Sequence, residues 1–323
     1  MNKFVRIIIV ALLSTIFIMN TSAEGGFIPY DTYEYNEFGE PVETPAGYIP
    51  AQTIDAAKLG LTKPFDSISD LCYVNGTLYI LDSGNGRIVE LDEELNLVAE
   101  YSEFVIADGA GLECRDAFPD GKVTFVGAEG FTVTPDGSLY VADTMNYRIL
   151  CFSADRQLTR VIVRPDHVLN NTGAAFDPVK IEADSKGRIY IATNSITLGL
   201  MVFNEDGSFS HFFGANEVLS TTQAFIKAFR KLFLSVAQLD LVEQSTPVSI
   251  LNMDFDADGF CYTVSPYRDT DSKAAVPGLL RKLNYEGNDI LDSQLIFGDI
   301  EEAELNKTHF SDVDIDQNGF INL

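Results

Sequence analysis

Acid-rich runs ending in glycine are the first places where residue type and spacing in this chain suggest chemistry. Asp314-Ile315-Asp316-Gln317-Asn318-Gly319 has the D-x-D-x-N-G opening of a calcium loop, and Asp254-Phe255-Asp256-Ala257-Asp258-Gly259 fits as well. Such a loop closes with a bidentate glutamate at its twelfth position. The second run has Ser265 there, and for the first that position lies past Leu323. Three histidines, His167, His211 and His309, equal the ligand count of a catalytic zinc, but all three would have to converge from unrelated stretches. Cys72, Cys114, Cys151 and Cys261 form no C-x-x-C pair and no zinc-type spacing. Cys72, Cys151 and Cys261, on strands, read as small buried hydrophobes and Cys114 as a loop residue, with one disulfide as the alternative. No G-x-S-x-G elbow and no phosphate-cradling glycine loop occurs.

The elements that hold these runs decide what they are. Both align with Phe131–Gly137 and Ile181–Gly187, where an alternating strand leads into Asp-Gly or Lys-Gly. Asn-Gly and Asp-Gly supply the positive backbone angles of tight hairpins. In a strand, Asp254 and Asp256 share one face while Met253 and Phe255 share the other. A hairpin is therefore favoured over a calcium loop. Five copies are readable, with turn glycines Gly76, Gly137, Gly187, Gly259 and Gly319. In the first, Leu71–Val74, Thr77–Leu81 and Arg87–Leu91 are strands; in the second, Phe131–Thr134, Ser138–Ala142 and Arg148–Phe152. Val179–Ala183, Arg188–Ala192 and Leu200–Phe203 form the third, followed by a further hairpin at Glu205–Ser208. Ile250–Phe255, Phe260–Val264 and Leu279–Leu283 form the fourth. Insertions fall between Glu103 and Val126 and over 221–241.

The 221–241 insert reads as a helix, with Ala224, Phe225, Ala228, Phe229, Leu232, Phe233, Val236 and Leu239 at helical spacing. Lys227, Arg230 and Lys231 make it locally basic. A helix laid on the repeat array is favoured; the sharper reading is a partner-docking or membrane-contacting helix, with Phe225, Lys227, Phe229, Arg230 and Lys231 as the docking residues. Residues 1–23 read as a signal peptide: Lys3 and Arg6, then apolar Ile7–Met19, then Thr21-Ser22-Ala23. Residues 24–62, rich in Tyr, Pro and Gly, read as an extended arm that supplies a closing strand, and 63–323 as the repeat domain. A formal net charge of -26 excludes nucleic acid and anionic lipid as natural partners, since both demand a basic surface. Export follows, either as a secreted protein or on the outer face of a cell envelope.

Leu139-Tyr140-Val141-Ala142-Asp143-Thr144-Met145-Asn146-Tyr147-Arg148-Ile149 resembles the NHL repeat, and Leu78–Ile88 matches nearly as well. Asp82, Arg87, Asp143, Asn146 and Arg148 carry the resemblance. A carboxylate accepting turn N–H groups and an arginine tying it to neighbouring carbonyls explain why each copy needs them. The later copies lose this element at Thr193-Asn194 and Ser265-Pro266. The resemblance implies an all-β propeller, six-bladed when complete and interrupted here within the fifth readable blade, with one helical insertion. The mature chain is also similar to a bacterial envelope group in which a Tyr-rich arm precedes an NHL propeller. Some members of that group continue into a Yip-type membrane domain, so a tether beyond Leu323 is one expectation. Propellers present loops on a rigid scaffold, so a protein, peptide or glycan is the expected ligand, with no cofactor. The alternative is a gluconolactonase-like hydrolase holding a divalent metal through residues such as Asn194 and Asp254, calcium ranking above zinc.

Overall fold

In the computed structural model the described residues are 33–35, 41–43, 52–169, 174–184, 186–196, 198–214, 249–266, 279–291, 310–316, 319 and 321–322. Signal peptide, most of the arm, the helical insert with Phe225, Lys227, Phe229, Arg230 and Lys231, and His309 lie outside them. The chain divides into two units, 1–55 and 56–323. In the first, β1 (Tyr33–Tyr35) pairs antiparallel with β2 (Pro41–Glu43).

The second unit is a succession of antiparallel sheets. Blade I comprises β3 (Ile68–Val74), β4 (Thr77–Asp82), β5 (Arg87–Leu91) and β6 (Leu97–Tyr101). The insertion expected between Glu103 and Val126 takes the form of two further strands, β7 (Phe104–Ile106) and β8 (Lys122–Val123), joined through the short helix Leu112–Ala117. Cys114 sits in that helix, fully buried, rather than in a loop. Blade II follows with β9 (Gly130–Val133), β10 (Leu139–Asp143), β11 (Arg148–Phe152) and β12 (Gln157–Val163). β7 pairs in parallel with β12, so the insertion widens blade II to six strands. Blade III holds β13 (Pro178–Ala183), β14 (Ile189–Thr193), β15 (Leu200–Phe203) and β16 (Phe209–Phe213). β17 (Asn252–Phe255), β18 (Cys261–Ser265) and β19 (Leu279–Leu283) form blade IV, and β20 (Asp314–Ile315) pairs with β21 (Ile321–Asn322). A fourth strand in blades I and II is the main addition to the three-strand units legible in the sequence, while β16 of blade III is the return of the hairpin read at Glu205–Ser208.

Period-two alternation builds the core as layers between blades. Leu139 and Val141 of β10 pack with Leu81 and Ile88 of blade I, while Ala142 joins Ile181, Ile189 and Ile191 of blade III. The next layers pair Tyr190 and Leu200 with Met253 and Cys261, then Tyr262 and Val264 with Phe310 and Val313. Fully burying a side chain such as Phe131 or Phe203 contributes ~1.5–3 kcal/mol. The outer face of blade I, formed by Ile80, Val89 and Leu91, is covered by Leu59, Leu61 and Phe65 from the preceding segment. Innermost strands touch in the order β3, β9, β13, β17, β20. An all-β array of four propeller blades, with a further strand pair at β20 and β21, is the result.

Candidate functional site

The Asp–Arg elements sit where strand two turns into strand three. Arg87 Nε donates to Asp82 Oδ2 at 2.7 Å, with both side chains almost fully buried. Asp82 also accepts the Asp66 N–H at 2.9 Å, and Arg87 reaches the Lys63 and Pro64 carbonyls and Glu100. In blade II, Arg148 binds Asp143 at 2.7 Å, Asp143 accepts the Val126 N–H, and Asn146 donates to both Asp143 oxygens. The Arg148 guanidinium lies 4.3 Å from the Phe118 ring centre. Each carboxylate pins the segment entering its own blade.

The acid-rich runs occupy hairpins. The Gly259 N–H donates to the Asp256 carbonyl and the Gly319 N–H to the Asp316 carbonyl. Strand register then reveals a pattern that spacing alone hid. Cys72, Thr132, Glu182 and Asp254 each sit opposite a tyrosine of the second strand, namely Tyr79, Tyr140, Tyr190 and Tyr262. Asp314 holds the matching place opposite Asn322. Two residues earlier, on the same strand face, stand Asp70, Gly130, Lys180, Asn252 and Asp312.

Apart from Gly130, the innermost-strand residues among these line a cavity of about 280 Å³. Lys180 Nζ passes blade II to reach Asp70 Oδ1 at 2.6 Å. Gly130 permits it: a Cβ there would stand 2.3 Å from the Val179 carbonyl oxygen and 2.9 Å from Lys180 Cα. Further ties run between blades, from the Phe131 N–H to Asp70, the Thr132 hydroxyl to Glu182, the Ile315 N–H to Asp254, and Asn252 to Asp312. Burial pushes the Glu182 carboxyl up to about 8, with Asp254 adding to the effect and the Thr132 hydrogen bond opposing it. Asp254 is pushed up to about 6, again mainly by burial, against two backbone N–H donors. Asp70 is raised by burial even though Lys180 opposes the rise.

Beside this channel lies a larger groove of about 710 Å³, and the two share Thr134, Pro135, Ala183 and Phe255 in their walls. The groove runs among the first hairpin turns of blades II, III and IV. Tyr190 forms its aromatic wall with Phe213 and Phe255, at ring-centre distances of 5.3 and 4.9 Å. Tyr285 projects at the rim, 82% exposed. Arg188 pairs with Asp184 at 2.7 Å and lies over Tyr190. Sequence reasoning missed this site because its walls come from three copies of the repeat; the tyrosine that recurs in every second strand was the available signal.

Among the described residues, Asn194 and Asp254 are not brought together as metal ligands. Asp254 lines the channel, whereas Asn194 is an exposed turn residue just after β14. His211 is exposed beside Ser210, and the side chain of His167 lies outside the described residues. Among the described residues, no three His, Cys, Asp or Glu side chains group as ligands for a metal ion. All four cysteines are free.

Architecture and site define a β-propeller array with an acidic channel and an aromatic groove. Residues 125–152, which span the Asp143–Arg148 element, match the NHL repeat family model. No curated protein matches the chain. Among solved structures it is similar to hydrazine synthase of Kuenenia stuttgartiensis, at 12% identity and TM-score 0.41 over 74% of this chain and 49% of that one. Virginiamycin B lyase of Staphylococcus aureus is similar at 14% identity and TM-score 0.38, over 78% of this chain and 62% of that one. The Cps50 (Swd1) β-propeller domain of Myceliophteria thermophila is similar at 8% identity and TM-score 0.42, over 78% and 59%. The chain thus spans between 49% and 62% of the length of these structures. Likeness at this level carries no argument about activity.

Proposed function

We propose that this chain is an exported NHL-type propeller that acts as a binding scaffold at the cell envelope for a protein, peptide or glycan. The aromatic-walled groove between the hairpin turns of blades II to IV carries the reading. It is a large concave site with convergent polar groups, on a framework whose strand ties hold the loops in place. Six blades, the signal peptide at 1–23 and the envelope location belong to the same proposal and are supported by the repeat pattern and the N-terminal sequence.

Binding is tested by titrating the purified chain with panels of labelled peptides and oligosaccharides, in parallel with Tyr285→Ala. A ligand bound by the native chain and weakened by that substitution supports the reading. Turnover of a lactone that stops on chelation, with no groove-dependent binding, would replace it with the hydrolase. Export is tested by fusing residues 1–23 to a reporter active only outside the cytoplasm. A silent reporter would remove the envelope location.

A further inference from the structure

The I–II groove of this propeller is already occupied by the protein's own side chain, and that occupant shows what the open groove is built to take. Arg156 lies at the left-handed position of the β11–β12 turn, with φ 59°. Its guanidinium donates to the Gly137 carbonyl at 2.7 Å and to the Tyr79 hydroxyl at 3.3 Å. It lies 5.4 and 5.5 Å from the Tyr79 and Tyr101 ring centres, with Glu90 at 3.9 Å. Cation, aromatic faces, turn carbonyl and carboxylate form one filled site.

Strand register maps that site onto blades III and IV. Tyr79 pairs with Glu90, and Tyr190 pairs with Val202; Ile88 pairs with Tyr101, and Leu200 with Phe213. Tyr190 and Phe213 are therefore the counterparts of Tyr79 and Tyr101, and the Gly259 turn is that of Gly137. The counterpart of Arg156 is Gly287, whose N–H likewise donates to the first residue of its turn and whose φ is 82°. A Cβ at Gly287 would meet the Gly214 nitrogen at 2.7 Å and the Phe213 ring at 3.2 Å. The chain cannot place its own side chain there. At the II–III junction Arg160 crosses Gly207 and donates to the Glu205 carbonyl, which covers that turn while Tyr140 and the Gly187 turn still line the open groove. The open groove reaches from the II–III turns to the III–IV turns. At its III–IV end, where Arg188 covers only Tyr190, the Phe213, Phe255 and Tyr285 rings carry no cation of the chain's own among the described residues.

Charge specifies the guest further. Asp136, Asp184, Asp256 and Asp258 line the groove with Lys186 and Arg188. Asp70, Glu182, Asp254, Asp312 and Asp314 line the adjoining channel, with Lys180 opposed to them. Arg188 is engaged with Asp184, Lys282 with Asp256 and Lys180 with Asp70, and Glu182 is raised to about 8. The acidic character therefore rests on Asp136 and Asp258 in the groove and on Asp254, Asp312 and Asp314 in the channel. We propose that the III–IV end of this groove binds an arginine side chain presented by a basic peptide segment of a partner protein, packed against Phe213, Phe255 and Tyr285. The flanking basic residues of that segment face the channel mouth. This inference rests on the binding-scaffold reading and names its ligand class.

The test is fluorescence polarisation of the full chain with a short labelled Gly/Ser peptide carrying spaced arginines. Matched probes carry citrulline or glutamate in place of arginine, and a neutral oligosaccharide serves as competitor. Tyr285→Ala and Asp258→Asn alter exposed groove residues, and circular dichroism confirms their fold. Expected are binding of the arginine probe about tenfold tighter than its citrulline match, and a loss of several-fold in each variant. Affinity should also fall as salt is raised. Equal affinity for arginine and citrulline probes, or variants that bind as the native chain does, would overturn the proposal. If peptides fail but the oligosaccharide binds and Tyr285→Ala weakens it, the groove stands as a site and the arginine assignment falls. If no probe binds, both readings fall.

Discussion

Replacing Arg87 by methionine removes a guanidinium that is 1% exposed, lies 5.6 Å from the Phe65 ring centre and makes four hydrogen bonds: to Asp82 at 2.7 Å, Glu100 at 2.9 Å, and the Lys63 and Pro64 carbonyls at 2.8 and 3.2 Å. Asp82, itself fully buried, would keep the Asp66 N–H and the Asn85 amide but lose its counter-charge. Breaking a buried pair from one side costs ~3–5 kcal/mol, while the methionine stem retains part of the packing. We expect a loss of about 4 kcal/mol, a fall in Tm of roughly 8–16 °C. Arg148 is more exposed, at 15%, and engages one carboxylate and the Phe118 ring, so Arg148→Met should cost about 2 kcal/mol. Far-ultraviolet circular dichroism during urea and thermal unfolding is the assay, because the chain has no tryptophan to report by fluorescence. The double variant Asp82→Leu/Arg87→Met should regain part of the loss, since no buried charge is then left alone. A shift below ~1 kcal/mol for Arg87→Met, or a larger loss for Arg148→Met, would refute the assignment of the Asp–Arg pair as a buried tie.

Stability should vary with pH through the channel carboxyls. Glu182 and Asp254 are raised in the folded state, so their contribution is fully present below the unfolded values of 4.5 and 3.8. It is lost as the pH rises through about 6 for Asp254 and about 8 for Glu182. Urea midpoints should therefore fall between pH 5 and pH 8.5, and Glu182→Gln should flatten the upper part of that slope; an unchanged slope would contradict the burial argument. Gly130→Ala should cost about 1–3 kcal/mol, because the new methyl group would meet the Val179 and Lys180 backbone of the next blade's inner strand, which cannot yield as a side chain would. A loss of under 0.5 kcal/mol by urea unfolding would show that Lys180 does not need this gap. The native chain should leave its thiols unreactive to a disulfide exchange reagent and release all four on unfolding, since burial pushes Cys72 and Cys151 up to about 12 and Cys114 and Cys261 are enclosed. Fewer than four thiols in denaturant without reductant would indicate a disulfide.

Much of the architecture was legible in the chain. Alternating apolar residues on either side of Asn75-Gly76, Asp136-Gly137, Lys186-Gly187 and Asp258-Gly259 specify hairpins through local backbone preference, and their recurrence specifies a propeller. The same register exposed Asp254–Gly259 as strand and turn, and Asp143 with Arg148 as a local tie, because each depends on neighbours within a few residues. The fourth strands of blades I and II, the widening of blade II by β7 and β8, and the burial of Cys114 were not legible, since pairing with a sheet edge or a neighbouring face is not encoded at short range. The candidate site belongs wholly to that second kind. Glu182 looks like any strand acid until Asp254 and Thr132 are brought beside it from other blades. Gly287 looks like any turn glycine until Phe213 and Gly214 close the space where a side chain would go. Local conformational preference decides the blade; only the packing of one blade on the next decides which groove is filled by arginine and which is left open.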